Sequence, residues 1–185
     1  MAVLDAILNR RSVRAYRPDP ISQEQLEEVL QAGFCAPSAH GASPWHVVAV
    51  REDAAKQVLA SIHKWSRVVT RVPVAIVVCV DGSGMDHFWV EDASAFMENM
   101  LIQATSMGLG TCWIGIQGLE VEGVDVEEIV RKTLNIPDHF HVLGMTPLGI
   151  PARHPGPHQP KLMDGRVHYD AFGGERTARL PILDT

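Results

Sequence analysis

The stretch Asp92-Ala-Ser-Ala-Phe-Met-Glu-Asn-Met-Leu-Ile-Gln-Ala-Thr-Ser-Met107, running straight on into Gly108-Leu-Gly-Thr-Cys-Trp-Ile-Gly115, decides how this chain folds. Ala93, Phe96, Met97, Met100, Leu101 and Ala104 recur at the three-and-four spacing of one helical face, which predicts a helix over 92–107. Ala95 and Ile102 widen that stripe until little polar face remains. Such a helix is buried on several sides, in a core or against a partner chain. Gly108-Leu-Gly110 ends it with ordinary C-cap chemistry, and Thr111–Ile116 reads as a strand. Glycines bracketing that strand, with Trp113 inside it, suggest something planar lying close to the backbone. These glycines end a helix instead of opening one, so they are no dinucleotide fingerprint.

Outward from this unit, Val74-Ala-Ile-Val-Val-Cys-Val80 is a continuous run rich in β-branched residues, expected as a central strand buried on both faces. Near the start, Val3, Leu4, Ile7 and Leu8 predict a short helix running into Arg10 and Arg11. After the Pro18-Asp19-Pro20 break, Ser22 and Gln25 form a capping-box signature for a second helix. Its stripe is Leu26, Val29, Leu30 and Gly33-Phe34, and Pro37 ends it. A small, polar loop over 36–44 leads to a strand from Trp45 to Val50, and 53–65 reads as a helix. Downstream, 125–134 reads as an amphipathic helix and His141–Ile150 as a strand. From Pro151 the texture changes: Pro155, Pro157 and Pro160 prevent regular structure, while Val167, Tyr169 and Phe172 need a surface to bury against. Residues 1–185 therefore read as one domain whose 151–185 segment is an irregular arm, folded on itself or around another chain.

Composition excludes several classes. With 46% hydrophobic and 21% charged residues among 185, the chain is globular in type. No apolar run approaches the roughly 18 residues of a membrane span. The opening Met1-Ala-Val-Leu-Asp5 lacks the order of a signal peptide. Cys35, Cys79 and Cys112 sit among apolar neighbours, which suits buried, reduced thiols in a cytoplasmic protein. A formal charge of -6 argues against nucleic acid as a partner.

Against that acidic background, Arg10, Arg11, Arg14 and Arg17 crowd the start of the chain, which suggests one small anion. If the first helix continues, Arg10 and Arg14 lie one turn apart on one face, with Ser12 adding a hydroxyl. The plainer reading is arginines complementing a helix C-terminus. Likewise the 36–44 loop offers uncommitted backbone N–H groups to a flat ligand, with Ser38 and Ser43 adding side-chain bonds, or is simply a connection. His139 and His141 lack a carboxylate or thiolate at metal-ligand spacing, and Cys112 has no evident base beside it.

Taken together and in this order, these pieces resemble the nitroreductase family of flavin mononucleotide (FMN) oxidoreductases. The stretches that carry the resemblance are Arg10-Arg-Ser-Val-Arg-Ala-Tyr16, Ala36-Pro-Ser-Ala39 with Pro44-Trp45, and the acidic-to-apolar helix entering Gly108-Leu-Gly-Thr-Cys-Trp-Ile-Gly115. Leu148-Gly-Ile-Pro151 and Val167-His-Tyr169 match the family's closing segments. The resemblance implies an α+β fold, a mixed central β-sheet flanked by helices in α/β/α layers, in an intertwined homodimer with FMN at the interface. The 92–107 helix would form the dimer core and the 151–185 arm would embrace the partner. By the same resemblance Arg10, Ser12 and Arg14 hold the FMN phosphate, with Arg11 nearby and Lys161 as a further contact from the tail. Pro37, Ser38 and Ala39 of the other protomer line the flavin ring, and the backbone at Ile114–Gly115 faces its reactive edge at N5. Gly41 and Ser43 stand where the family commonly has Asn and Gln, so hydrogen bonding around the cofactor differs here.

The implied activity is ping-pong: NAD(P)H delivers hydride to tightly bound FMN at N5 and leaves, and a small organic acceptor such as a nitroaromatic or quinone takes its place. Positioning and electrostatics are then the protein's part, with no side-chain nucleophile required and no catalytic residue assigned. Two alternatives stay open. One is a flavin-binding or storage protein with little turnover; the other is a relative's chemistry, oxygen-dependent cleavage of reduced flavin or dehalogenation.

Overall fold

The computed structural model describes residues 2–84, 87–159 and 163–175. Its centre is β2 (Val74–Asp81), the β-branched run, buried along nearly its whole length. On one side β2 pairs antiparallel with β1 (Trp45–Val50), and on the other with β7 (Phe140–Gly149). Two short strands, β3 (Gly110–Thr111) and β4 (Ile114–Gly115), both pair antiparallel with the far side of β7, completing a five-stranded sheet. A parallel bridge from Ser12 to Thr111 adds a further pairing beyond β3. A separate ribbon of β5 (Glu120–Val121) and β6 (Val124–Asp125) leads into the last helix.

Because side chains alternate along a strand, β2 feeds two cores. Ile76, Val78 and Val80 meet Leu26 and Val29 of α2 (Gln23–Phe34) and Phe96, Met97, Met100 and Leu101 of α4 (Trp89–Ser106). Ala75, Val77 and Cys79 meet Leu59 of α3 (Asp53–Ser61) and Val126 and Val130 of α5 (Val126–Leu134). The result is an α/β/α arrangement. Where α2 crosses α4 the contact is close enough that a Cβ on Gly33 would stand 2.6 Å from the Phe96 ring. No residue over 92–107 is freely exposed even within one chain, as its nearly all-round apolar pattern requires.

The reciprocal capping box of Ser22 and Gln25 opens α2 as its sequence predicts. Several boundaries move. The first helix, α1 (Val3–Asn9), does not continue to Arg14: Arg10 closes it by donating to Ala6 and then turns extended (φ -61, ψ 117). The reason is tertiary, because Val13 is buried and its N–H bonds to Thr111 at 2.8 Å along the edge of β3. The helix expected over 53–65 stops at Ser61, where the Ser66 hydroxyl donates to the Ala60 carbonyl at 2.9 Å, and a 3-10 segment spans Ser66–Arg71. Conversely α4 begins a turn earlier, at Trp89.

The strand expected over 111–116 is split into β3 and β4, yet both halves hold one register against β7 (Gly110 opposite Gly149, Ile114 opposite Met145). In that register Pro147 faces Cys112 and has no N–H to give. The ladder opens there, and Cys112 N–H turns to the Thr146 hydroxyl at 3.1 Å.

All three cysteines are free, but only Cys79 and Cys112 are buried; burial pushes the Cys79 thiol up to about 12. Cys35, expected inside, is exposed at the end of α2, where the helical stripe has run out. Among the described residues no helix is long and apolar enough to cross a membrane. Beyond Pro151 the described residues form neither helix nor strand, and Phe172 is 93% exposed.

Candidate functional site

The extended chain after α1 lies along the open edge formed by β3, with Ser12 bridged to Thr111. Period-two alternation puts Ser12 and Arg14 on one side and Arg11 and Val13 on the other, while Arg10, which closes α1, stands beside α4. Arg11 is thereby turned toward the tail, where its Nη1 donates to the Gly156 carbonyl at 3.0 Å. Arg10 Nε lies 3.4 Å from Glu98 of α4. Burial raises the Glu98 pKa and the Arg10 charge opposes that rise. The Arg14 guanidinium stands 5.7 Å from the centre of the Trp65 ring. Beside Ser12, the buried Thr111 hydroxyl has no hydrogen-bond partner among the described residues.

Farther along the same edge lie Ile114 and Gly115. Ile116 N–H bonds to Leu143, so the alternation of the ladder aims Gly115 N–H away from β7. A Cβ on Gly115 would meet nothing within 4 Å, whereas one on Gly144 opposite would stand 2.6 Å from the Ile114 carbonyl. Ser12 and Arg14 on one side, Arg10 beside α4 and an open, side-chain-free strand edge at Gly115 offer the kinds of donor that a phosphate joined to a flat ring requires.

The loop residues gather elsewhere. Ala39 N–H donates to Asp92 Oδ1 at 2.9 Å, and Ser43 N–H to the Ser38 hydroxyl at 2.9 Å. His40, Gly41 and Ser43 all take left-handed backbone (φ 53, 65 and 49). For Gly41 that conformation is free, and it is the physical role left to a residue with no side chain to donate. The Trp45 indole donates to the Asp92 carbonyl at 2.9 Å, so Asp92 pins both the loop and the strand that follows. Sequence reasoning missed Asp92; its signal was a carboxylate at the head of an otherwise apolar stripe.

In the sheet order β1-β2-β7-β3, the loop with Pro37, Ser38, Ala39, Gly41 and Ser43 precedes β1, and the basic segment borders β3. Three strand spacings, about 14 Å, separate those edges. One chain therefore strings Arg10, Ser12, Arg14, Ile114 and Gly115 along the β3–β4 edge of the sheet and leaves the loop residues apart. Lys161 lies outside the described residues. The late histidines take part in packing: His141 stacks on Trp89 with centroids 4.7 Å apart, and His139 lies 3.9 Å from Asp81.

A model of the Nitroreductase family matches residues 7–80 and 60–150. A protein of Methanothermobacter thermautotrophicus, provisionally named an NADH dehydrogenase/NAD(P)H nitroreductase, is 39% identical over 158 residues, covering 84% of this chain and 81% of its own length. A similarly named protein of Parabacteroides distasonis has a crystal structure that superposes with a TM-score of 0.85 at 34% identity, over 91% of this chain and 98% of that one. A protein of Desulfovibrio desulfuricans, provisionally named a nitroreductase and solved in complex with FMN, superposes with a TM-score of 0.74 at 26% identity, over 88% of this chain and 93% of that one. Matched by the family model over most of its length and by a relative at 39% identity, the chain belongs to the Nitroreductase family.

Proposed function

We propose that this protein is an FMN-dependent NAD(P)H oxidoreductase of nitroreductase type, in which Arg10, Ser12 and Arg14 hold the phosphate and the Ile114–Gly115 edge receives the flavin ring. The observation that carries this reading is that the segment of Arg10, Ser12 and Arg14 runs along the same sheet edge, with Ser12 bridged to Thr111, whose Gly115 end is open. Bound FMN supplies reversible hydride chemistry at its ring. The chain's own residues bind and orient. Arg14 and Ser12 offer charge-assisted and neutral donors to phosphate oxygens, and Arg10, 3.4 Å from Glu98, adds a further cation beside them in sequence. Gly115 would offer its backbone N–H to the ring's polar edge, and its missing side chain would leave room for donor and acceptor to occupy the same open face in turn.

The working unit is a homodimer. Its support is the separation of the two half-sites within one chain: a second copy can bring its Pro37, Ser38 and Ala39 to the first copy's Gly115 edge. The exposed apolar side of α1, formed by Val3, Leu4 and Ile7, and the apolar residues Val167, Tyr169 and Phe172 of the 151–185 arm suit burial against that copy. Gly41 and Ser43 then shape the loop through its backbone and leave side-chain hydrogen bonds to other groups.

Titration of apoprotein with FMN, followed by flavin fluorescence, tests the assignment. Arg10→Ala and Arg14→Ala are each expected to weaken binding by about 1.5–3 kcal/mol, the worth of a charge-assisted hydrogen bond. Unchanged affinity in both variants would place the phosphate elsewhere.

A further inference from the structure

The cations of this acidic chain are unevenly employed. Arg10, Arg17, Lys56, Arg131 and Lys132 each stand within 4.0 Å of a carboxylate. Among the described residues eight cations have no such partner, and the fold gathers four of them, Arg14, Lys64, Arg67 and Arg71. Lys64, Arg67 and Arg71, with His63, line an open cavity of about 560 Å³ between α3 and the 3-10 segment that follows it. Trp65 rises beside it, 58% exposed, with Lys64 Nζ 5.1 Å and the Arg14 guanidinium 5.7 Å from its ring centre. Arg14 in turn shares a groove with Ser12 and Arg153, so this surface continues directly into the phosphate end of the site above.

Nothing about this arrangement helps the chain fold. Unpaired like charges repel one another, and an indole left in water forgoes most of the stabilisation its burial would bring. Cations over an exposed ring return only about 0.5–1 kcal/mol each. The same features are what an anionic aromatic ligand requires: a flat face for stacking a base, and guanidinium and ammonium groups for its phosphates. The hydride donor of the proposed reaction is such a molecule.

Resting on that reading, we infer that Trp65, Lys64, Arg67 and Arg71 bind the adenosine-phosphate half of the nicotinamide dinucleotide while its nicotinamide end reaches the Gly115 edge. The surface favours NADPH over NADH, because the 2′-phosphate brings about 1.5–2 further negative charges to unpaired cations. Arg14 joins the two halves of the site. It sits on the indole on one side and faces the groove of Ser12 on the other. In a protein of net charge -6, this surface also supplies the local positive potential that draws an anionic donor in.

The test uses the FMN-loaded protein and a Lys64→Gln/Arg67→Gln double variant, both positions being exposed. Calorimetric titration with adenosine 2′,5′-bisphosphate, which carries no nicotinamide, is expected to show binding that the double variant weakens by roughly tenfold. In steady-state assays the variant should raise KM for NADPH by a similar factor with kcat unchanged, the pattern of lost uniform binding. With reduced nicotinamide mononucleotide, which lacks the adenosine half, both constants should stay as in the parent. Failure of the parent to bind the bisphosphate, equal binding by the variant, or equal impairment with both donors would overturn the inference. If neither donor reduces the parent protein, the oxidoreductase reading fails instead, and the bisphosphate titration still reports on Trp65 and its cations.

Discussion

Asp92 holds two neighbours through different atoms: its Oδ1 accepts the Ala39 N–H of the loop, and its main-chain carbonyl accepts the Trp45 indole. At 7% exposure, removing the side-chain acceptor leaves a donor poorly supplied with water. Asp92→Ala should therefore cost about 1–3 kcal/mol in chemical denaturation, while Asp92→Asn, which keeps an acceptor oxygen, should cost less. Equal losses would show that the charge matters and the hydrogen bond does not. The arginine cluster teaches a different lesson at this scale. Arg10 and Arg14 share a face in a helix, where they are one turn apart, and also in an extended chain, where they are an even number of residues apart. The sequence thus supports a shared face under either conformation, but the helix expected to carry it ends at Asn9, and Arg10 meets Glu98 while Arg14 meets Trp65. Ser12 shares a side with Arg14 only in the extended form that the structure adopts. What the sequence could not display was the choice between the two, because that choice is made by Thr111, which receives Val13 N–H nearly a hundred positions away.

Among the elements, the edge strand shows most clearly where local reading runs out. Residues 111–116 read as a strand from their composition, and the pairing with β7 agrees. The break at Cys112–Trp113 comes from Pro147 on the facing strand, so it becomes visible only once the register is known. Gly144 matters for the same reason. A Cβ there would press to 2.6 Å on the Ile114 carbonyl, and the backbone on both sides is tied into the sheet. Gly144→Ala is expected to destabilise the protein by about 1–3 kcal/mol and to lower FMN occupancy, since the atom it displaces belongs to the residue before Gly115. Thermal melts with and without FMN test this; a stable variant with full occupancy would detach β4 from the cofactor site. α4 behaved differently, because its all-round apolar pattern is an intrinsic property of 92–107. Its extra first turn, from Trp89, is added by tertiary contacts, including the stack of that indole on His141.

For the whole molecule, the two edges of one sheet carry the two proposed halves of the site, and in the proposed homodimer a second copy joins them. The sheet order that separates them follows from long-range pairing, so this incompleteness could be seen only in three dimensions. The family resemblance in the sequence nevertheless pointed to both halves, since Arg10-Arg-Ser-Val-Arg14 and Ala36-Pro-Ser-Ala39 are contiguous motifs that survive any change in how they are brought together. Folding, pairing of copies and cofactor binding are then linked by mass action, each stabilising the others. The reaction itself is the property on which the rest depends. The most direct measurement is the visible absorption of the FMN-loaded protein under anaerobic conditions, before and after one equivalent of NADPH, followed by addition of a quinone. The account predicts that the flavin bands bleach on NADPH and return on the quinone, through repeated cycles. Bands that persist unbleached with both NADPH and NADH would contradict it, leaving a protein that holds the flavin without reducing it.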